Sequence, residues 1–513
     1  MKANLLNSIQ LTKPKKSAFD LSHDFKFSGD MGNLIPVLCQ ETVPGDTFQI
    51  GAEALVRFAP LLAPIMHRVD VSIHYFFVPN RLLWTNWEKF IVDNSTTAPA
   101  APFIIYNNSY TTYNKFMDYF GVPPMTAAGN ININALPFAA YQCVYNEYYR
   151  DQNLIPEIDY KLSDGNNSSI AGKLPALLTM RRRAWQHDYF TACLPFAQKG
   201  TAVDIPLGDV VLKSNWNTIG NATKPQFRLP NVSTTVTGAL SQDAVGTQGI
   251  KTPANASIPL AYDPQGTLST SSTTINDLRR AYRLQEWLEK NARGGTRYTE
   301  NILAHFGVKS SDARLNRPEY ITGVKTPVVI SEVLNTTGAT GANAQGTMAG
   351  HGVSVASGKY GKYFCEEHGF IIGIMSIMPE TAYQQGLPKQ FLKLDEMSYY
   401  WPSFANLGEQ AVENQEVFID SATPTGVFGY IPRYAEYKFA NSRVAGDFRT
   451  TLNYWHLGRI FSTAPALNQT FIECDPTVLK RIFAVQTGDS VYVQLYNKVR
   501  AIRPMPKFGT PMM

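Results

Sequence analysis

Val69-Asp70-Val71-Ser72-Ile73-His74-Tyr75 decides the fold class of this 513-residue chain. Apolar side chains hold the odd positions and polar ones the even positions. Successive side chains of a strand point to opposite faces, so this alternation describes a strand with one face buried. Pro79 ends it, because proline cannot donate to a ladder. Upstream, Thr47–Ile50 and Leu55–Phe58 read as two further short strands separated by Gly51. Downstream, Arg81 to Val92 switches to a helical period, with Leu83, Trp84, Trp87, Phe90 and Ile91 on one face. The tryptophan pair is read as core packing rather than a sugar platform.

The remainder alternates strands with long connections. Residues 1–30 read as an extended arm, broken at Lys13-Pro14-Lys15-Lys16. A short helix is expected from Asn114 to Phe120 within an Asn-, Tyr- and Pro-rich stretch. Ala184 to Phe196 reads as an aromatic strand. Thr274-Ile275-Asn276-Asp277 matches a capping box opening a helix, with Leu278, Ala281, Tyr282, Gln285 and Leu288 on one face. Glu286–Lys290 and Glu289–Arg293 are spaced as i, i+4 pairs, and Gly294-Gly295 ends the helix. Strands return at Pro327 to Leu334, Tyr363 to Glu367, Phe370 to Met378 and Val491 to Ile502. Phe370 to Met378 is almost wholly apolar, which predicts cover on both faces. Gly338 to Gly361 reads as a flexible loop. This pattern predicts a two-sheet sandwich with elaborated loops and excludes a regular parallel α/β fold.

Composition narrows the function. Charged residues are 17% and hydrophobic residues 44% of the chain, against roughly 25% charged in an average soluble protein. Neutral polar groups are cheaper to bury than ions, so such a surface suits wide contacts with neighbours. The net charge of +5 is too mild for a chain whose main task is gripping phosphates. Cys39, Cys143, Cys193, Cys365 and Cys474 form no CxxC pair, so they read as free, mostly buried thiols. The polar start and the short apolar runs predict neither a signal peptide nor a membrane span.

From Ser214 to Ser272 the only charged residues are Lys224, Arg228, Asp243, Lys251 and Asp263. A segment this poor in charge and apolar periodicity cannot build its own core, so 214–272 reads as an exposed insertion. Asn231, Thr247, Gln248 and Asn255 are its candidate host-contact residues, because amides and hydroxyls hydrogen-bond glycans.

Motifs for metal, phosphate-loop or nucleophile chemistry do not occur where a mechanism needs them, and the expectation is no catalytic residue, no metal and no cofactor. His187-Asp188 is a conceivable base pair, but neighbours in a strand diverge. Glu366-Glu367-His368 reads as a solvated turn. Arg181-Arg182-Arg183 and Arg279-Arg280-Arg283 are expected in interface or intramolecular pairs. Lys13, Lys15 and Lys16, with Lys498, Arg500, Arg503 and Lys507 of the tail, are candidates for contact with nucleic acid. Two rival classes fit less well: a carbohydrate-binding or cleaving β-protein needs paired carboxylates or an aromatic platform in one cleft, and the sequence shows no convincing pair. A single-strand DNA-binding protein would interleave cations with aromatics.

A run of stretches then matches a known family: FSGDMG (Phe27 to Gly32), LCQETVPGDTF (Leu38 to Phe48), MHRVDVSIHYFFVP (Met66 to Pro79) and RLLWTNWEKF (Arg81 to Phe90). They continue with WQHDYFTACLPF (Trp185 to Phe196), LRRAYRLQEWLEKNARGGTRY (Leu278 to Tyr298), ENILAHFG (Glu300 to Gly307) and NLGEQ (Asn406 to Gln410). The chain resembles the major capsid proteins of microviruses, small icosahedral single-stranded-DNA phages, in their gokushovirus branch. The resemblance implies a mainly β fold, one eight-stranded antiparallel jelly roll over 1–513 with long loops carrying short helices. It further implies a T=1 shell of 60 copies around a circular genome, built in the bacterial cytoplasm without enzymatic activity. Residues 214–272 would be the family's three-fold protrusion. Implied partners are a small basic DNA-packaging protein, a DNA pilot protein and an internal scaffolding protein, with weak contact to single-stranded DNA and no membrane.

Overall fold

The computed structural model describes residues 15–92, 98–201, 203–204, 210–212, 268–270, 274–334 and 348–508. The chain packs as two compact units, one of residues 1–199 with 291–513 and one of residues 200–290. The larger is mainly β, with short helices between antiparallel strands.

Eleven strands matter for the argument: β1 (Ser17–Asp20), β2 (His23–Gly29), β3 (Ile35–Thr42), β4 (Thr47–Phe58), β5 (Val69–Pro79) and β6 (Glu319–Pro327). The others are β7 (Val329–Leu334), β8 (Met348–Ser357), β9 (Gly361–Phe364), β10 (Gly369–Pro379) and β11 (Val491–Arg503). One sheet runs β1-β11-β4-β8-β7, with β2 also on β11 and β9 also on β4. The second runs β6-β5-β10-β3. Every pairing in both is antiparallel.

The main core lies between these sheets. β5 sends Val69, Val71, Ile73, Tyr75 and Phe77 into it, and β11 answers with Val491, Val493, Leu495, Val499 and Ala501. One polar link crosses this apolar layer. The Tyr75 hydroxyl donates to Asn497 Oδ1 at 3.0 Å, and Asn497 Nδ2 donates to the Val37 carbonyl at 3.0 Å. Both side chains are buried, so each polar atom needs that partner.

β10 is covered on both faces, as its apolar run predicts. Ile371, Met375 and Ile377 join the main core, while Phe370, Ile372 and Ile374 join a second cluster. That second cluster is roofed by helix α1 (Leu136–Val144), whose side chains are buried apart from Pro137. A third cluster joins Tyr189 and Phe190 to Tyr383, Val412, Phe428 and Phe471.

Several local expectations are corrected. The expected short strands at 47–50 and 55–58 are one continuous strand, β4, because β11 pairs with it through Gly51, opposite Lys498. Within the extended arm expected over 1–30, the described residues include β1 and β2, which add to β11. The helix expected from Arg81 to Val92 divides into Asn80–Leu83 and Trp87–Val92. Trp84 lies extended between them, bridged to Leu162, with its indole N–H donating to Asp164 at 2.7 Å. That tertiary tie outweighs one turn of helix.

Ala184 to Phe196 is no strand. Asp188 Oδ1 accepts from the Phe190 and Thr191 amides, and that local bonding curls the chain into a turn. The loop expected from Gly338 to Gly361 contains β8. A Cβ on Gly350 would lie 2.4 Å from the Ala63 carbonyl oxygen, and one on Gly352 2.9 Å from the Phe58 ring. Those glycines mark close packing, not looseness. Residues 335–347 lie outside the described residues.

Helix α2 (Ile275–Arg293) begins at the expected capping box, with Asp277 N–H donating to Thr274 Oγ1 at 3.2 Å and Thr274 N–H to Asp277 Oδ2 at 3.3 Å. The i, i+4 ion pairs expected along it are replaced. Glu286 pairs with Arg283, and Arg293 turns away to Glu409. Within the smaller unit, Val210–Leu212 pairs antiparallel with Leu268–Thr270.

Candidate functional site: surfaces for assembly

The two basic segments lie at opposite ends of the sequence, and the β1–β11 ladder brings them to one sheet edge. Ser17 sits opposite Arg503, and Asp20 opposite Arg500. Lys15 and Lys507 are exposed there. Lys16 Nζ donates to the Gly45 carbonyl at 2.7 Å and stands over the Phe364 ring. Arg503 pairs with Asp46 at 3.2 Å, donates to the Glu41 carbonyl and covers Phe48. Lys498 pairs with Glu53. Arg500, exposed opposite Asp20, holds that carboxyl below its usual range only as a minor contributor after the Ser22 hydrogen bonds. Lys13 lies outside the described residues, as do Asn231, Thr247, Gln248 and Asn255.

Of the two arginine runs, Arg181-Arg182-Arg183 makes intramolecular contacts, whereas Arg279, Arg280 and Arg283 are exposed, with Arg283 paired to Glu286. Arg181 donates to Gln142 Oε1 and the Ala176 carbonyl, Arg182 pairs with Asp475, and Arg183 donates to Ser72 and Ser376. Arg183 borders a cleft of about 510 Å³ between β5, β6 and the 183–187 segment. Even-numbered residues of β5 (Asp70, Ser72, His74 and Phe76) form its floor, so the alternation that places the odd residues in the core also builds this wall. His74 Nδ1 shares a 2.8 Å hydrogen bond with the Tyr149 hydroxyl. Burial, with a smaller push from Arg183, lowers the imidazole to about 4, so it is neutral at pH 7.

His187 is exposed while Asp188 is buried and bonded to the Tyr383 hydroxyl at 2.7 Å. The two side chains therefore diverge, though through a turn rather than a strand. In the Glu366-Glu367-His368 turn, Glu367 pairs with Arg81 at 2.6 Å and His368 stands against the Trp87 ring. Among the described residues no group of three or more His, Cys, Asp or Glu is disposed to hold a metal. All five cysteines are free, four of them buried. Burial raises Cys143 and Cys365 to about 12, which keeps those thiols protonated and unreactive. No helix among the described residues is long and apolar enough to cross a membrane.

Sequence reading missed one feature. Residues 388–407 form a surface loop of short 3₁₀ turns that leaves large aromatic side chains in water. The run Tyr399-Tyr400-Trp401 was its only signal, and it has no period that separates exposed from buried rings.

Two packed antiparallel sheets with long loops, in a chain only 17% charged, suit a structural, contact-making protein. The comparison with protein families makes this specific: the chain belongs to the phage family described as capsid protein (F protein), whose model matches residues 7–513. It is 36% identical to capsid protein VP1 of Bdellovibrio phage phiMH2K, covering 98% of this chain and 96% of that one. It is 34% identical to capsid protein VP1 of Chlamydia phage 1 (99% and 97% covered) and 29% identical to that of Spiroplasma virus 4 (97% and 95% covered). The resemblance to gokushovirus-type capsid proteins thus holds over the full length, and the chain is a structural component of a virion.

Proposed function

We propose that the larger unit is an eight-stranded jelly roll and that 60 copies close a T=1 shell around a circular single-stranded DNA genome. The observation that carries this is strand order. One sheet contains β2-β11-β4-β8 and the other β3-β10-β5-β6. Read along the chain, β2, β3, β4 and β5 alternate between sheets, β6 stays with β5, and β8, β10 and β11 alternate again, which is a double Greek key. Such a wedge presents its loops at the ends and its edges to neighbours. Repeated modest contacts then become a stable particle because symmetry closes them.

Residues 214–272 are the protrusion, used in host attachment through their amides and hydroxyls. In support, Val210–Leu212 and Leu268–Thr270 pair antiparallel, so the chain leaves and re-enters this region side by side. The exposed members of the basic edge, Lys15, Arg500 and Lys507, together with Lys13, face the genome weakly. A separate small basic packaging protein supplies most phosphate neutralisation, and pilot and scaffolding proteins act during assembly in the host cytoplasm.

Electron microscopy and sedimentation of the purified chain test the shell. Uniform icosahedral particles of 60 subunits are expected, and a small monodisperse species would refute it. Deleting residues 220–265 should leave a soluble subunit and reduce adsorption to host cells. Unchanged adsorption would remove the attachment role.

A further inference from the structure

The loop at 388–407 holds its aromatic groups outward in a fixed arrangement. Asp395 Oδ1 accepts from the Ser398 amide and hydroxyl at 2.8 and 3.0 Å, and Trp401 Nε1 donates to the Glu396 carbonyl at 2.9 Å. Tyr400 stands edge-on to Tyr434 with ring centres 5.0 Å apart, and 6.2 Å from Tyr437. Beneath them Lys393, 5% exposed, pairs with Glu436 at 2.7 Å and lies 3.9 Å from the centre of the Tyr437 ring. These contacts brace the loop before anything binds, which lowers the ordering cost of association.

Its exposed members are large: Leu394 at 93%, Phe391 at 60%, Tyr437 at 55%, Tyr399 at 52%, and Tyr400 and Trp401 at 50%. Side chains of this size bury roughly 150–250 Å² each when fully covered. Six of them at these exposures offer on the order of 700 Å², close to the roughly 800 Å² that each partner contributes to a stable protein contact. A lone soluble protein rarely leaves so much apolar surface in one place.

Charge selects the occupant. The loop's two lysines are both committed to carboxylates, Lys389 to Glu413 and Glu416 and Lys393 to Glu436. The charged side chains it exposes are Asp395 and Glu396. Aromatics beside paired cations and exposed carboxylates disfavour a phosphate backbone, whereas stacking sites for single strands pair rings with free cations. We propose that residues 388–407 with Tyr437 form a contact surface for a second copy of this chain. The assignment rests on the shell reading above and adds to it the surface that makes the contact.

The native thiols are buried or half-buried, so Leu394→Cys introduces one fully accessible thiol into the full-length chain. Maleimide labelling of that thiol is compared between sedimenting particles and unassembled subunits of the same preparation. Labelling at least ten-fold slower in particles, with or without nuclease treatment and release of DNA, is expected. Equal rates in particles and subunits overturn the contact while leaving the shell intact. Protection that vanishes from DNA-free particles overturns it in favour of the genome. Failure of the unaltered chain to form particles removes the shell and this contact together. Trp401→Glu, at a half-exposed residue outside the three core clusters, should lower particle yield at least ten-fold while the subunit stays soluble and melts cooperatively. Wild-type yield would count against the assignment.

Discussion

Tyr75→Phe removes one oxygen from the centre of the sandwich and leaves Asn497 Oδ1 facing it without a donor. Both side chains are at most 1% exposed, so no water replaces the lost group. The expected cost is about 1–3 kcal/mol, the penalty of stranding one buried acceptor. Asn497→Leu strands two groups, the Tyr75 hydroxyl and the Val37 carbonyl that Asn497 Nδ2 serves, and should cost roughly twice as much. The double variant strands neither the Tyr75 hydroxyl nor Asn497 Oδ1, only the Val37 carbonyl. Its loss should therefore fall short of the sum of the single losses by two such penalties, about 2–3 kcal/mol. Urea unfolding of unassembled subunits, followed by tryptophan fluorescence, measures all four corners of this cycle. Additive single losses, or Tyr75→Phe unfolding together with the unaltered chain, would refute a direct link between the sheets.

Acid should weaken the subunit in a defined window. His74 has its folded pKa lowered to about 4, chiefly by burial, so below its unfolded value of about 6.5 the unfolded state binds the extra proton. Stability should fall as pH drops from about 6.5 toward 4, by on the order of 3 kcal/mol at full protonation. His74→Gln should flatten that part of the pH–stability curve, and an unchanged slope would contradict the assignment. Gly32 has φ +85°, and a Cβ there would lie 2.6 Å from the Cys474 carbonyl oxygen. Gly32→Ala should cost about 2 kcal/mol or more, read as a lowered urea midpoint. Ellman's reagent should titrate few of the five thiols in the folded chain and all five in guanidinium, given the burial of four. Fast reaction of Cys143 or Cys365 in the native chain would be inconsistent with their environment.

What could be read from residues alone tracks the physics that fixed each element. β5 and β11 alternate because two environments meet at each, and the core they share was legible from that. β10 was legible because an unbroken apolar run has no wet face. Sequence misled where a distant partner outbid local preference. Trp84 leaves its helix for Asp164, and Gly51 stays in a strand because β11 supplies the ladder. Gly350 and Gly352 looked like flexibility and are close-packed backbone. Of the candidate contact residues, the lysines and arginines at the two ends were visible as composition. Their meeting at one edge was not, since that depends on a pairing more than 400 residues apart. The exposed rings of 388–407 carry no periodic signature, so only the fold separates them from core aromatics.

That same long-range pairing sets the order of events when the protein is made. β11 lies between β2 and β4, yet it follows β4 by more than 400 residues. Until it emerges from the ribosome, the nascent chain carries a half-built sheet, with one edge of β4 unpaired and part of the cover over the apolar face of β5 missing. Completion of the interior is therefore a late step, slowed by the search for a remote partner and exposed to aggregation while it waits. A prematurely terminated chain lacking β11 would lose the core residues Val491, Val493, Leu495, Val499 and Ala501 together with the partner of β4.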